Sequence, residues 1–275
     1  MSTRIASSFI AALALGAAAA CDDDLAFAPE TPDTFVVRAF LFAGEPVTEV
    51  TVTGVLPVGA DSTAVAAPIA DARIAIFREG ERYDLAPSEA EPGRYHYPGD
   101  DLLVEVGDVF TLEVSHGGRT ATAETVVPVP PQGLSLSATV MAPPEFGVRG
   151  GGFQPGADDA LVARWENSAS ALHYVVVDNI EADPTPIAES PFGGGFARRF
   201  VQPPTAGDSA LVSARSLSWF GRHRVKLYRV NEEYADLYEG LNQDSRDLNE
   251  PPSNVRGALG VFSAFSADSA FFEVR

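Results

Sequence analysis

Phe110-Thr111-Leu112-Glu113-Val114-Ser115-His116-Gly117-Gly118-Arg119-Thr120-Ala121-Thr122-Ala123-Glu124-Thr125-Val126-Val127 decides the fold class. Phe110, Leu112 and Val114 alternate with polar neighbours, a period of two that puts them on one face of a strand. His116-Gly117-Gly118 supplies turn residues, and Arg119 to Val127 returns as a second strand. Pro128, Pro130 and Pro131 then stop the run, because proline cannot donate to a ladder.

The same grammar extends in both directions. Upstream, Phe35–Phe42 is β-prone and closed by Gly44, and Val50, Val52 and Val55 stand apolar among threonines. Ala72–Phe77 is a strand ended by Glu79-Gly80-Glu81, with Tyr83 and Leu85 beyond as in a hairpin. Pro92-Gly93-Arg94-Tyr95 turns into another, and Leu102, Val104 and Val106 alternate again. Downstream, Gly133–Val140, Leu161–Trp165, His173–Val177, Ser209–Leu217 and Arg222–Val230 read as strands. Phe262, Phe265, Phe271, Phe272 and Val274 make the end of the chain apolar enough to return as strands. One helix is expected over 232–241: Asn231 is a cap, Glu232 and Glu233 favour the positive end of the dipole, and Tyr234, Leu237, Tyr238 and Leu241 share a face. The expected fold is therefore mainly all-β. It comprises two antiparallel β-sandwich domains of Ig/fibronectin type, 35–131 and 132–275, the second with one short helix. Short turns leave no room for crossover helices, so parallel pairing is not expected.

Bulk composition sets limits. Of 275 residues, 45% are hydrophobic, which permits a sizeable core, and Gly 24 and Pro 21 favour turns over long helices. A net charge of −19 repels phosphate backbones, so no nucleic-acid partner is expected. Cys21 is the only cysteine, which rules out a disulfide within the chain and any cysteine-based zinc cluster.

The first residues give that thiol a use. Residues 1–20 read as a signal peptide: Arg4 is the charged start, Ile5–Leu15 is apolar, and Gly16–Ala20 are small. Ala18-Ala19-Ala20-Cys21 resembles a bacterial lipobox, although a leucine is usual where Ala18 stands. The resemblance implies a diacylglycerol thioether on Cys21 and acylation of its amine. At about 0.8 kcal/mol per buried methylene, two or three chains would hold the protein on a membrane. Asp22, Asp23 and Asp24 resemble a surface-export signal, which implies the outer face of an outer membrane. Residues 21–34 then form a Pro-containing linker.

The tail Ser253-Asn254-Val255-Arg256-Gly257-Ala258-Leu259-Gly260-Val261-Phe262, with Pro92-Gly93-Arg94-Tyr95 and Tyr174-Val175-Val176-Val177, resembles the DUF4249 family. That is a domain-of-unknown-function family of Bacteroidetes-type outer-membrane lipoproteins. Ala258 departs from it, a second glycine being commoner there. The resemblance implies a surface lipoprotein often encoded near TonB-dependent transporters, and implies no catalytic residues. Gly257 and Gly260 suit turns or close backbone approach, Asn254 could cap the turn, and Phe262 packs.

Catalytic and metal motifs are lacking in the sequence. His96, His116, His173 and His223 have no metal-ligand spacing, and there is no nucleophile elbow. Asn242–Asp247 fails as a calcium loop because Arg246 sits at the fifth position. Asp100-Asp101 and Asp158-Asp159 are sequence neighbours and would face apart on a strand. No cofactor, metal or enzyme activity is expected. The best contact patch is Phe196, Arg198, Arg199 and Phe200, a basic spot beside Gly193-Gly194-Gly195 suited to a carboxylate-bearing partner. The expected role is a non-catalytic lipoprotein at the cell surface, an accessory or ligand-binding partner of a TonB-dependent outer-membrane transporter. The alternative is an adhesive or polysaccharide-binding structural protein.

Overall fold

The computed structural model describes residues 34–56, 60–61, 63–142, 160–187, 197–240 and 253–275, with backbone alone at 238–240. Within them the N-terminal half contains β1 (Phe35–Phe42), β2 (Glu49–Gly54), β3 (Arg73–Arg78), β4 (Glu81–Pro87), β5 (Arg94–His96), β6 (Val109–His116) and β7 (Arg119–Val126). The remainder contains β8 (Gln132–Leu136), β9 (Val140–Met141), β10 (Ala160–Glu166), β11 (His173–Asn179), β12 (Arg199–Val201), β13 (Ser209–Ser213), β14 (Gly221–Arg229), α1 (Glu232–Gly240) and β15 (Leu259–Val274). The described residues are mainly β with one short α-helix.

Alternation in sequence becomes burial in space. Along β6 the pattern is strict: Phe110, Leu112 and Val114 are buried while Thr111, Glu113 and Ser115 are not. These side chains meet Val37, Ala39 and Leu41 of β1 and Ile74 and Ile76 of β3 in the first core. Tyr95 is fully buried there and satisfies its hydroxyl by donating to the Ile69 carbonyl at 2.8 Å and accepting from the Ala72 N–H at 3.0 Å. The second core lies between the small sheet β13-β10-β8 and strands β11 and β14. Leu161, Ala163, Trp165 and Val212 face Val175, Val177, Val225 and Leu227, joined by Phe272 and Val274 of β15.

Two expectations change. The division into two separate antiparallel sandwiches is not clean, because one sheet of twelve strands, β12-β11-β14-β15-β1-β2-β5-β4-β3-β6-β7 with β9 beside β15, runs through both halves. The cause is the length of β15. Its first part pairs with β1, from Val36↔Leu259 to Phe42↔Phe265, and its second part pairs with β14. The β1–β15 pairing is also parallel, as is β9–β15, so the sheet is mixed. No crossover helix is needed, because the parallel partners of β15, β1 and β9, lie far away along the chain.

At the local level, the stretch at Leu102–Val106 forms no strand. Leu102 and Val104 are buried in the first core, yet the segment has no ladder partner. Conversely, Arg199–Val201, within the basic contact patch, forms a short strand that pairs with β11.

A third cluster forms where the halves meet. Phe40 and Phe42 of β1 and Phe265 of β15 gather Tyr174, Tyr228 and Tyr234. Phe265 stacks on Phe42 at 5.0 Å and meets Tyr234 edge-on at 4.7 Å. Tyr234 thereby docks α1 onto the sheet, as its place on the apolar helix face requires. Asn231 does more than expected: besides lending its carbonyl to the first helical turn, its side-chain amide donates to Thr125 Oγ1 at 3.1 Å and to the Val126 carbonyl at 2.9 Å.

Candidate functional site

The basic spot singled out in the sequence lies at the β12 edge of the long sheet. Phe196 falls outside the described residues, as do Cys21 and Asp22, Asp23 and Asp24. The other three residues are brought together, but much of their polarity is spent internally. Arg198 donates to Asn179 Oδ1 at 3.3 Å and to the Glu181 carbonyl. Arg199 faces Asp178 at 3.7 Å, and Asp178 is also held by Arg224 at 3.0 Å. Phe200 turns inward and packs against the second core. The crevice behind them, bordered by Ser216, Ser218, Trp219 and His223, has room for about 10 Å³, close to a single water. Arg199 stays more than half exposed beside Asp178.

The histidines are structural in their surroundings. His173 and His223 are buried, at 1% and 2% exposure. Burial pushes both below the ordinary histidine value, with backbone hydrogen bonds opposing the shift. His173 Nδ1 lies 2.9 Å from the Ala171 carbonyl, and its ring sits 5.5 Å from Trp165. His223 Nδ1 lies 3.0 Å from the Gly221 carbonyl, and the ring stacks on Phe272 at 5.1 Å. His116 is near Asp71 at 3.2 Å on the surface. Among the described residues no group of three or more His, Cys, Asp or Glu side chains is placed to hold a metal ion. No described helix is long and apolar enough to cross a membrane.

The tail motif resolves into a clasp against β1 and β7 of the N-terminal half. The Asn254 carboxamide pairs with the Phe262 backbone in both directions, Nδ2 donating to the carbonyl at 2.7 Å and Oδ1 accepting from the N–H at 2.9 Å. Arg256 and Thr122 exchange backbone hydrogen bonds at 2.8 and 2.9 Å, which covers part of the outer edge of β7. Gly257 has φ +86°, and a Cβ there would lie 2.6 Å from the Thr120 carbonyl oxygen. Gly260 has φ +126°, and a Cβ would overlap the Val37 carbonyl across the parallel pair. Glycine spacing in the tail is therefore a packing requirement.

Sequence reading missed two features. The chain has one lysine, Lys226, whose ammonium meets Glu45 Oε1 at 2.8 Å and sits 4.8 Å from the Tyr228 ring, tying β14 to the turn after β1. A groove of about 320 Å³ also lies between the β3–β4 turn and the start of β6, lined by Phe77, Glu79, Gly80, Asp108, Val109 and Thr111 among others.

A family model described as a domain of unknown function, DUF4249, matches residues 23–270. No curated protein matches the chain. Among solved structures, a crystal structure of a run of titin domains is similar at 11% identity, covering 86% of this chain, with a TM-score of 0.20. The chain spans 62% of that titin structure.

Proposed function

Because the chain belongs to the DUF4249 family, we propose that it is a lipid-anchored, non-catalytic binding protein of the bacterial outer membrane. In this reading Cys21 carries the acyl chains, Asp22–Asp24 direct it to the cell surface, and the folded part serves a TonB-dependent transporter as an accessory or ligand-binding subunit. At the level of domains we propose two Ig/fibronectin-like sandwiches, 35–131 and 132–275, fused through β15.

The observation that carries a binding role is the fate of the buried ionisable groups. His173 and His223, the two histidines with depressed affinity for protons, face backbone carbonyls and pack against aromatic rings. General acid–base work needs such groups open to a substrate. Grooves and turns on a continuous hydrogen-bonded sheet suit recognition instead.

Two measurements test the proposal. Cys21→Ser should move the protein from the envelope fraction to the soluble fraction, and continued sedimentation with membranes would overturn the anchor. Affinity purification from gently solubilised native membranes should recover an outer-membrane transporter. Repeated recovery of none would overturn the accessory role.

A further inference from the structure

The groove on the N-terminal half combines shape, apolar surface and unspent charge. Its floor is Phe77 of β3 and Thr111 of β6, which are directly paired across the ladder. One wall is the Glu79-Gly80 turn and the other is Gly107-Asp108-Val109. Apolar surface continues beyond it: Val109 is 47% exposed, its cross-strand partner Val126 is 45% exposed, and Val106 is 45% exposed. A buried end of the same loop, Val104, anchors this wall by accepting from the Gly44 N–H at 2.9 Å. Asp108 fastens it further, accepting from the Glu105 N–H and pairing with Arg78 at 3.4 Å. The wall is therefore built into the frame.

The charges around this patch are unequal. Arg78 is already paired with Asp108, and Arg82 lies over the Phe77 ring while pairing with Asp84 and Glu113. Glu79 on the rim and Glu124 beside Thr111 on β7 have no ionic partner among the described residues. An exposed apolar strip between unpaired carboxylates is complementary to an apolar side chain carried next to a cation. A volume of about 320 Å³ is at the small end for ligand sites and fits one or two side chains.

We infer that this groove docks a segment of a partner protein that presents an apolar side chain beside lysine or arginine. The segment lays its apolar group between Val109 and Val126, beside the Phe77 ring that Arg82 covers, and its cation meets Glu79 or Glu124. The groove would act in this way whichever membrane component the chain serves.

The test uses the full mature chain and a fluorescein-labelled octapeptide of alternating leucine and arginine. Its controls are an octapeptide of alternating serine and arginine and one of leucine and glutamate. Saturable binding of the Leu/Arg peptide is expected, weaker by ~10-fold or more in Glu79→Lys and in Val109→Ser, both changes at exposed positions. Asp183→Lys makes the same charge change on an exposed loop of the other half and should alter affinity less than ~2-fold. Amide chemical-shift changes should centre on 77–80, 106–111 and 124–126. Equal weakening by Asp183→Lys and Glu79→Lys would show general attraction to an acidic surface and overturn the assignment. Equal binding of the Ser/Arg peptide, better binding of the Leu/Glu peptide, or no saturable binding would overturn it too.

Discussion

At the scale of single residues, the most constrained position is Gly260. Its φ of +126° suits glycine alone, and the parallel neighbour Val37 leaves no space for a methyl group. Gly260→Ala should cost more than about 3 kcal/mol, or prevent folding, because it combines a forbidden backbone angle with overpacking of the β1–β15 pair. Urea denaturation would show the loss as a lower midpoint at unchanged slope. Asn254→Ala removes both hydrogen bonds to Phe262 and leaves a part-buried N–H and C=O without that partner, a cost of about 2–3 kcal/mol. Asn254→Asp keeps the acceptor and loses the donor, so it should fall between the two proteins. These residues were legible through the tail's resemblance to the family, and the glycines also through their freedom to turn or admit close backbone approach. Val37 as the crowding neighbour was not legible, since it lies more than two hundred residues away.

At the scale of elements, the strands were readable and their partners were not. Period-two burial marks faces, and β1, β6, β7 and β10 follow it closely, whereas β11 is buried at almost every residue. The same signal at Leu102–Val106 misleads, because alternation records burial and not ladder pairing. It also could not show that Leu259–Val274 is one strand of 16 residues serving two cores. The basic spot was half legible: two adjacent arginines can be seen in the sequence, but their ties to Asn179, Glu181 and Asp178 depend on strand pairing. Thr125 shows how elements are joined. This buried side chain on β7 accepts from the Ala264 N–H of β15 at 3.1 Å and donates to Glu233 of α1 at 2.9 Å. Thr125→Val keeps the shape and leaves the Ala264 N–H without that acceptor, so it should destabilise the protein by about 1–3 kcal/mol. Hydrogen exchange should accelerate most at Ala264 and in α1; a change confined to β7 would contradict this linkage.

At the scale of the whole molecule, two buried histidines and one shared strand set the response to acid and heat. Burial lowers the proton affinity of His173 and His223 in the folded state, below the 6.5 of an ordinary histidine. Below that pH the unfolded chain binds protons that the folded chain refuses, so stability is full above it and falls as pH drops. The slope cannot exceed about 1.4 kcal/mol per pH unit for each histidine, and a double His173→Gln, His223→Gln variant should show a smaller loss of stability as the pH falls through 6.5. Heat tests the fusion of the halves. Both tryptophans, Trp165 and Trp219, belong to the C-terminal half, so their fluorescence reports the second core alone. Leu112 is fully buried in the first core. If β15 makes the two cores one cooperative unit, Leu112→Ala should lower the tryptophan-detected Tm as much as it lowers that seen by circular dichroism. The cost of a large-to-small core change, about 2–5 kcal/mol, corresponds to a shift of roughly 5–15 °C for a chain of this size. Coincident transitions are the mark of all-or-none unfolding. A tryptophan transition unmoved by Leu112→Ala would mean that the two cores melt separately, with β15 joining them in space but not in energy.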